Sequence, residues 1–106
     1  MYRDKEGNAD EVYRYVWENF DIVHLRRTGQ FITNDGKMAT RAFRVGKKGR
    51  AMLSIHINGR KYLAHRVVWL MIHSSWPDGT LTFKDGNGCN CAPDNLQLTK
   101  GKSDAN

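Results

Sequence analysis

One segment of the sequence, residues 51–57, constrains the fold more than any other. Apolar residues occupy every second position from Ala51 to Ile57, and this period of two is typical of a half-buried β-strand. Asn58 and Gly59 follow, and both tolerate the positive φ of a two-residue hairpin turn. Because Arg60 to Ala64 then returns as a second strand, the sequence predicts an antiparallel hairpin in a small central sheet.

The segments on either side of this hairpin predict helices and further short strands. Asn8 is a candidate N-cap, and apolar and aromatic residues at helical spacing predict an amphipathic helix over roughly 9–19. The mostly apolar segment 65–73 predicts a core helix that ends before a loop containing Pro77 and Gly79. Further short segments are expected over 29–33, 40–45, 80–83 and 95–99. We therefore expect an α+β fold.

The length of the chain limits this architecture to one compact domain. It has 106 residues, and single cores usually occupy ~100–150. We divide it into an N-terminal helical segment over 1–21, a basic antiparallel sheet over 22–64, and a helix followed by a C-terminal motif over 65–106. No apolar run approaches the ~18–20 residues that span a bilayer, and the start of the chain is polar. We therefore expect a cytoplasmic protein without a membrane partner.

The positive charge is concentrated in the middle of the chain. The formal net charge is +6, but residues 22–66 alone contain eleven lysines and arginines and one acid, Asp35. A localised cationic surface attracts a polyanion, and phosphate contacts from Lys and Arg supply most of the non-specific affinity for nucleic acid. The charge pattern alone is also compatible with a basic face that contacts only solvent.

Two cysteines and two histidines are the remaining candidates for chemistry. Cys89 and Cys91 are too close in sequence for a good disulfide, and no second ligand pair for zinc is evident, although His65 and His73 offer two nitrogens. We expect two free thiols. His65 begins an apolar helix, where a histidine is more often buried and hydrogen-bonded than a ligand or base.

The C-terminal half contains several short motifs at defined spacing from one another. They read His65-Arg66, Pro77-Asp78-Gly79, Asp85-Gly86-Asn87, Asn90 followed by Cys91, and Asn95-Leu96. The sequence thereby resembles the HNH, or His-Me finger, nucleases of the phage and intron-encoded homing-endonuclease type, over roughly residues 20–99. The preceding sheet also resembles the three-stranded DNA-reading sheet of AP2 domains. The resemblance implies a ββα motif at the C-terminal end of the α+β fold.

The resemblance also implies a reaction whose residues are largely missing here. Such a finger hydrolyses a phosphodiester with one divalent metal and a histidine as general base. Phe83 stands at the histidine position and Thr82 at that of a metal-binding aspartate, while the loop-bracing asparagine is present as Asn95. The last metal ligand falls in the final residues, where Asp104 is a weak candidate and we expect too few residues for a stable helix.

We therefore predict a catalytically degenerate finger that binds double-stranded DNA without a cofactor or a small-molecule substrate. Mg²⁺ or Mn²⁺ would be needed only if some nuclease activity survives. One alternative is an active nicking endonuclease with a non-standard base such as His73 or His56. Another is a protein that binds and inhibits a host protein, with Trp76 and Tyr62 as exposed anchors. The predicted DNA contacts are Arg41, Arg44, Lys47, Lys48, Arg50, Arg60, Lys61, Lys84, Asn87 and Asn90.

Overall fold

A computed structural model describes residues 8–45 and 50–99 as helices packed against two small antiparallel sheets. This confirms the predicted α+β class. The helices are α1 (Ala9–Asn19), α2 (Ile22–Thr28) and α3 (Ala64–His73). The strands are β1 (Arg41–Val45), β2 (Arg50–Ile57), β3 (Arg60–Leu63), β4 (Thr80–Phe83) and β5 (Leu96–Thr99), and a short 3₁₀ turn, Pro93–Asn95, precedes β5.

The first helix begins where its capping signal predicts. The Asn8 side chain accepts hydrogen bonds from the backbone N–H groups of Asp10 (2.9 Å) and Glu11 (3.2 Å), which satisfies two of the free donors at the helix start. The acidic side chains of those two residues also lie at the positive end of the helix dipole. Val12 and Val16 form the buried face of α1.

The second helix corrects the expectation that sheet structure begins at residue 22. Asp21 caps α2, because its carboxylate accepts from the backbone N–H of His24 (3.1 Å). Gly29 ends the helix in the left-handed conformation at φ 74°. The expected segment over 29–33 forms only isolated bridges, which pair Phe20 with Thr33 and Ile32 with Met38.

The hairpin that the alternating segment predicts is present. β1, β2 and β3 pair antiparallel in chain order, with Ile57 opposite Arg60 and Ser54 opposite Leu63. The turn residues Asn58 and Gly59 have φ of 54° and 82°, as a hairpin turn with the twist of the strands requires.

No helix within residues 8–45 and 50–99 is long and apolar enough to cross a membrane.

The core is built around α3, which is buried on most of its surface. Val67, Val68, Leu70 and Met71 are fully buried, and the helix packs against α1, α2 and the three-stranded sheet. The predicted core helix is confirmed, and it begins one residue before His65.

Two glycines allow the C-terminal elements to approach the rest of the chain closely. A Cβ on Gly29 would overlap the backbone carbonyl of Cys91, and a Cβ on Gly88 would overlap that of Ala51. The loop between β4 and β5 therefore lies directly against the end of α2 and the start of β2. This contact fixes the C-terminal hairpin relative to the basic sheet.

Candidate nucleic-acid interface

The C-terminal hairpin consists of β4, β5 and a connecting segment, residues 84–95, which we call the finger loop. Phe83 ends β4 and pairs with Leu96, which begins β5. The backbone N–H of Lys84 donates to the carbonyl of Asn95 (2.8 Å), so the two ends of the finger loop are held together.

The carboxylate of Asp85 is the centre of the finger loop. It accepts hydrogen bonds from the Asn90 side-chain amide (3.0 Å), the Asn87 backbone N–H (2.8 Å) and the Asn95 side-chain amide (2.9 Å). These bonds favour the ionised form and lower the pKa of Asp85 below its usual value, with the Asn90 bond contributing most. The polar loop is therefore an ordered structure.

Asn95 joins both ends of the finger loop to its middle. Its side-chain carbonyl accepts from the Asp85 backbone N–H (3.0 Å). Its amide donates to the Asp85 carboxylate and to the backbone carbonyl of Asn90, both at 2.9 Å. This geometry is that of a loop-bracing asparagine.

The other two asparagines of the finger loop also bond within it. The Asn87 side-chain oxygen accepts from the Cys89 backbone N–H (3.0 Å), and that of Asn90 accepts from the Ala92 backbone N–H (3.3 Å). Since the Asn90 amide also donates to Asp85, both polar groups of Asn90 are engaged inside the loop. The prediction that these asparagines contact DNA stays untested.

Phe83 packs against the buried imidazole of His65. Their ring centroids are 4.9 Å apart, and the rings are inclined at 65°. His65 is 4% exposed, and its Nδ1 atom has no hydrogen-bond partner within the described part of the chain. Burial, and secondarily the charge of Arg66, lowers the pKa of His65 to about 4. The expected burial of His65 is confirmed, but the expectation that it is hydrogen-bonded is wrong at Nδ1.

A comparison with known families agrees with this geometry. Residues 62–105 match the family model described as HNH endonuclease. This segment of the chain is HNH-like. No curated protein and no solved structure matches the chain. The matched HNH-like segment begins within β3 and includes α3, β4, the finger loop and β5.

HNH endonucleases are typically metal-dependent, but the donors in the described part of this HNH-like segment do not fit a divalent metal ion. Thr82 supplies a neutral hydroxyl that donates to the Gln97 carbonyl (3.3 Å), whereas hard cations prefer carboxylates. No group of three or more His, Cys, Asp or Glu side chains within residues 8–45 and 50–99 is arranged to hold a metal ion. Asp104 lies outside the described residues.

The two cysteines of the HNH-like segment are free thiols, as expected. Cys89 is half-buried and Cys91 is buried. Burial, with a smaller contribution from Cys89, raises the pKa of Cys91 to about 12. Cys91 is therefore a neutral core side chain at physiological pH.

The basic residues before the HNH-like segment divide between the two faces of the three-stranded sheet. Residues paired across antiparallel strands share a face, so the pairings Arg41–Ser54 and His56–Lys61 lie on one face. Arg44 pairs with Ala51, and Arg60 pairs with Ile57, on the other face. Lys84 is exposed at the start of the finger loop. Lys47 and Lys48 lie outside the described residues, as does the side chain of Arg50.

Of the two predicted aromatic anchors, Tyr62 is buried and Trp76 is half-buried, whereas the protein-partner alternative requires exposed side chains. Tyr62 is 4% exposed and stacks on Trp76, with ring centroids 5.7 Å apart. Its position on the face that carries the buried Ile55 and Ile57 explains why it joins the core.

Sequence reasoning missed two aromatic contacts. It named neither Phe43, whose ring lies 4.8 Å from the Lys61 ammonium, nor the pairing of Phe83 with His65. The hairpin turn fixes the register of β2 and β3, but the position of β1 beside them depends on a longer connection. A pattern of short segments does not specify that pairing.

Proposed function

We propose that the protein is an HNH-like protein of the phage and homing-endonuclease type that binds double-stranded DNA and has lost nuclease activity or retains little of it. The observation that carries the proposal is the packing of Phe83 against His65, because the resemblance puts Phe83 at the position of the general base. The finger loop beside it is held together by hydrogen bonds between Asp85 and the surrounding asparagines. The finger loop is thus retained, although the histidine that would act as general base is absent.

The chemistry of the two substituted positions supports a large loss of rate. Phenylalanine accepts no proton, and the loss of a general base typically costs ~10²–10⁴ in rate. His65 does not replace it, because its ring is buried and its low pKa makes it a weak base. Thr82 replaces the carboxylate expected at the metal, which lowers the rate further.

The charge distribution supports DNA as the partner. Eleven of the seventeen lysines and arginines lie in residues 22–66, and Arg41, Arg44, Arg60 and Lys61 are exposed on the sheet. The finger would lie across the minor groove, as the resemblance implies. We propose that the protein binds its DNA in the cytosol. If a phage encodes the protein, this is the cytosol of the host.

Binding to a labelled duplex at increasing salt tests this proposal. Since each phosphate contact releases a counterion, we expect the affinity to fall about 100-fold or more between 50 and 200 mM salt. Fluorescence anisotropy measures the dissociation constant at each salt concentration, and the melting temperature of the free protein over the same range is the control.

Absent binding, or binding that does not change with salt, would overturn the proposal and favour a protein partner. Cleavage of the duplex when Mg²⁺ or Mn²⁺ is added to the same tubes would instead favour the active endonuclease with a non-standard base.

A further inference from the structure

All three of the large apolar side chains that the structure describes as exposed lie on one patch, beside the junction of α1 and α2. Trp17, Val23 and Met38 are 48%, 68% and 57% exposed. Trp17 and Val23 line an open cleft together with Ile32. Met38 is directly opposite Ile32 in an isolated antiparallel bridge, so the two side chains point to the same side. We call these four residues the apolar patch.

The apolar patch is separate from the core. Ile22 and Leu25 form the buried face of α2, whereas Val23 lies on the other face of that helix and is exposed. Adjacent exposed apolar side chains, unlike single scattered ones, mark a surface that binds a partner. Tryptophan is among the residues that dominate the binding energy of such surfaces. The apolar patch therefore has the composition of an interaction surface.

Hydrogen bonds hold the edge of the cleft in one conformation. The Thr33 backbone N–H donates to the Lys37 carbonyl (2.7 Å), and the Lys37 N–H donates to the Thr33 hydroxyl (2.9 Å), so the turn over 33–37 is closed. The Asn34 side-chain amide donates to the Glu18 backbone carbonyl (3.2 Å), which attaches this turn to α1. A preorganised surface loses less entropy on binding than a mobile one. The cleft therefore has a fixed shape to which a partner can bind.

Opposite charges lie at the two ends of the cleft. Asp21 lies at the start of α2, and its backbone N–H donates to the Ile32 carbonyl (2.8 Å). Arg26 lies in the last turn of α2, with its guanidinium carbon 5.9 Å from the centre of the Trp17 ring. Both charged residues line the cleft and are exposed. Since a helix rises about 1.5 Å per residue, the two charges are about 7.5 Å apart along α2, with Val23 between them.

We propose that the apolar patch is the interface of a two-fold symmetric homodimer, in which Asp21 of each subunit faces Arg26 of the partner subunit. A two-fold axis makes a surface meet itself, so residue i contacts residue j and residue j contacts residue i. With the axis near Val23, the acid of one copy meets the cation of the other, and the apolar side chains meet at the centre. A partner of a single charge sign would match only one end of the cleft, whereas a second copy matches both.

This inference goes beyond the proposed function, since no predicted DNA contact belongs to the apolar patch. The patch is formed by α1, α2 and residues 32–38, whereas the predicted DNA contacts lie within residues 41–61 and the finger loop. A dimer formed through the patch would therefore contain two basic sheets and two finger loops, and its interface would use none of the residues predicted to contact DNA.

A charge at the centre of the apolar patch tests the interface. Sedimentation equilibrium without DNA measures the dissociation constant of the dimer. We expect Val23→Glu to raise this constant at least about 30-fold, because each dimer would bury two carboxylates beside the axis. Gln97→Glu is the matched control, since it adds the same charge at an exposed position on β5, and it should dimerise as the wild type does. Val23 is exposed in the monomer, so circular dichroism should show both variants folded.

A double variant tests the two-fold arrangement. Arg26→Glu places an acid against Asp21 of the partner subunit, and we expect it to raise the dissociation constant at least about 10-fold. Asp21→Asn removes the opposing acid and keeps a residue that caps a helix equally well. We therefore expect the double variant to dimerise at least about 3-fold more tightly than Arg26→Glu alone, although Asp21→Asn alone weakens the wild-type dimer.

The possible failures separate this inference from the proposed function. A wild type that stays monomeric up to about 1 mM protein would overturn the homodimer and indicate that a different protein covers the patch. Equal dimerisation by Val23→Glu and Gln97→Glu, or an equal effect of Asp21→Asn with and without Arg26→Glu, would also overturn it. Salt-dependent binding to a duplex by a monomer would leave the proposed function intact. A dimer that binds no DNA would overturn only the proposed function.

Discussion

Replacing Gly29 with alanine is expected to lower the free energy of unfolding by about 3 kcal/mol or more. Gly29 has φ +74°, and a Cβ there would overlap the Cys91 backbone carbonyl and the Ala92 backbone nitrogen. Backbone atoms cannot move aside as a flexible side chain can, so α2 and the finger loop would have to separate. Chemical denaturation measures the loss.

Gly36→Ala is the matched control for this prediction. Gly36 has φ +91°, but no atom lies within 4 Å of the Cβ position. Its replacement should cost only about 1 kcal/mol, from the strained backbone conformation. If the two variants lose the same stability, the close contact between α2 and the finger loop is not formed.

Acidification from pH 6.5 to pH 4 is expected to destabilise the protein through His65. Burial lowers the pKa of the folded His65 from 6.5 to about 4, so over this range the unfolded chain binds a proton that the folded chain does not. Stability is therefore complete above pH 6.5, falls as the pH drops, and levels off near pH 4 for this group. The difference in pKa corresponds to about 3 kcal/mol.

His65→Leu isolates this contribution from that of other titrating groups. The variant also removes the unpartnered Nδ1, so it should equal or exceed the wild type in stability at pH 4.5. Parallel curves of unfolding free energy against pH for wild type and His65→Leu would show that His65 is not buried as described.

Local sequence signals predicted the elements that are specified by residues close together in the sequence. The Asn58-Gly59 turn and the alternation before it specified β2, β3 and their register. The motif spacing likewise placed the finger loop between two paired strands. In each case the deciding residues are adjacent in sequence.

Elements that depend on distant contacts were not predicted. α2 was missed for a different reason, because its seven residues are too few for a clear helical period, although its caps, Asp21 and Gly29, are local. The packing of Phe83 on His65 joins residues from different elements that approach only when the core assembles. The exposure of Tyr62 was misjudged although the predicted hairpin pairs it with Ile55, whose side chain is buried.

The proposed function is DNA binding without DNA cleavage in one small fold. In the proposed function, the basic sheet and the internally bonded finger loop bind the duplex. Phe83 and Thr82 stand where the resemblance implies the groups that activate water and hold a metal ion. We therefore expect the protein to bind DNA without cutting it.

Incubation with supercoiled plasmid tests directly whether the protein binds DNA without cutting it. The protein is added with Mg²⁺ or Mn²⁺ at a concentration that retards the plasmid in a gel, and the DNA is then freed of protein and separated by electrophoresis. We expect plasmid that is bound before extraction and still supercoiled after it. Metal-dependent conversion to the nicked circle, abolished by Asn95→Ala, would contradict it.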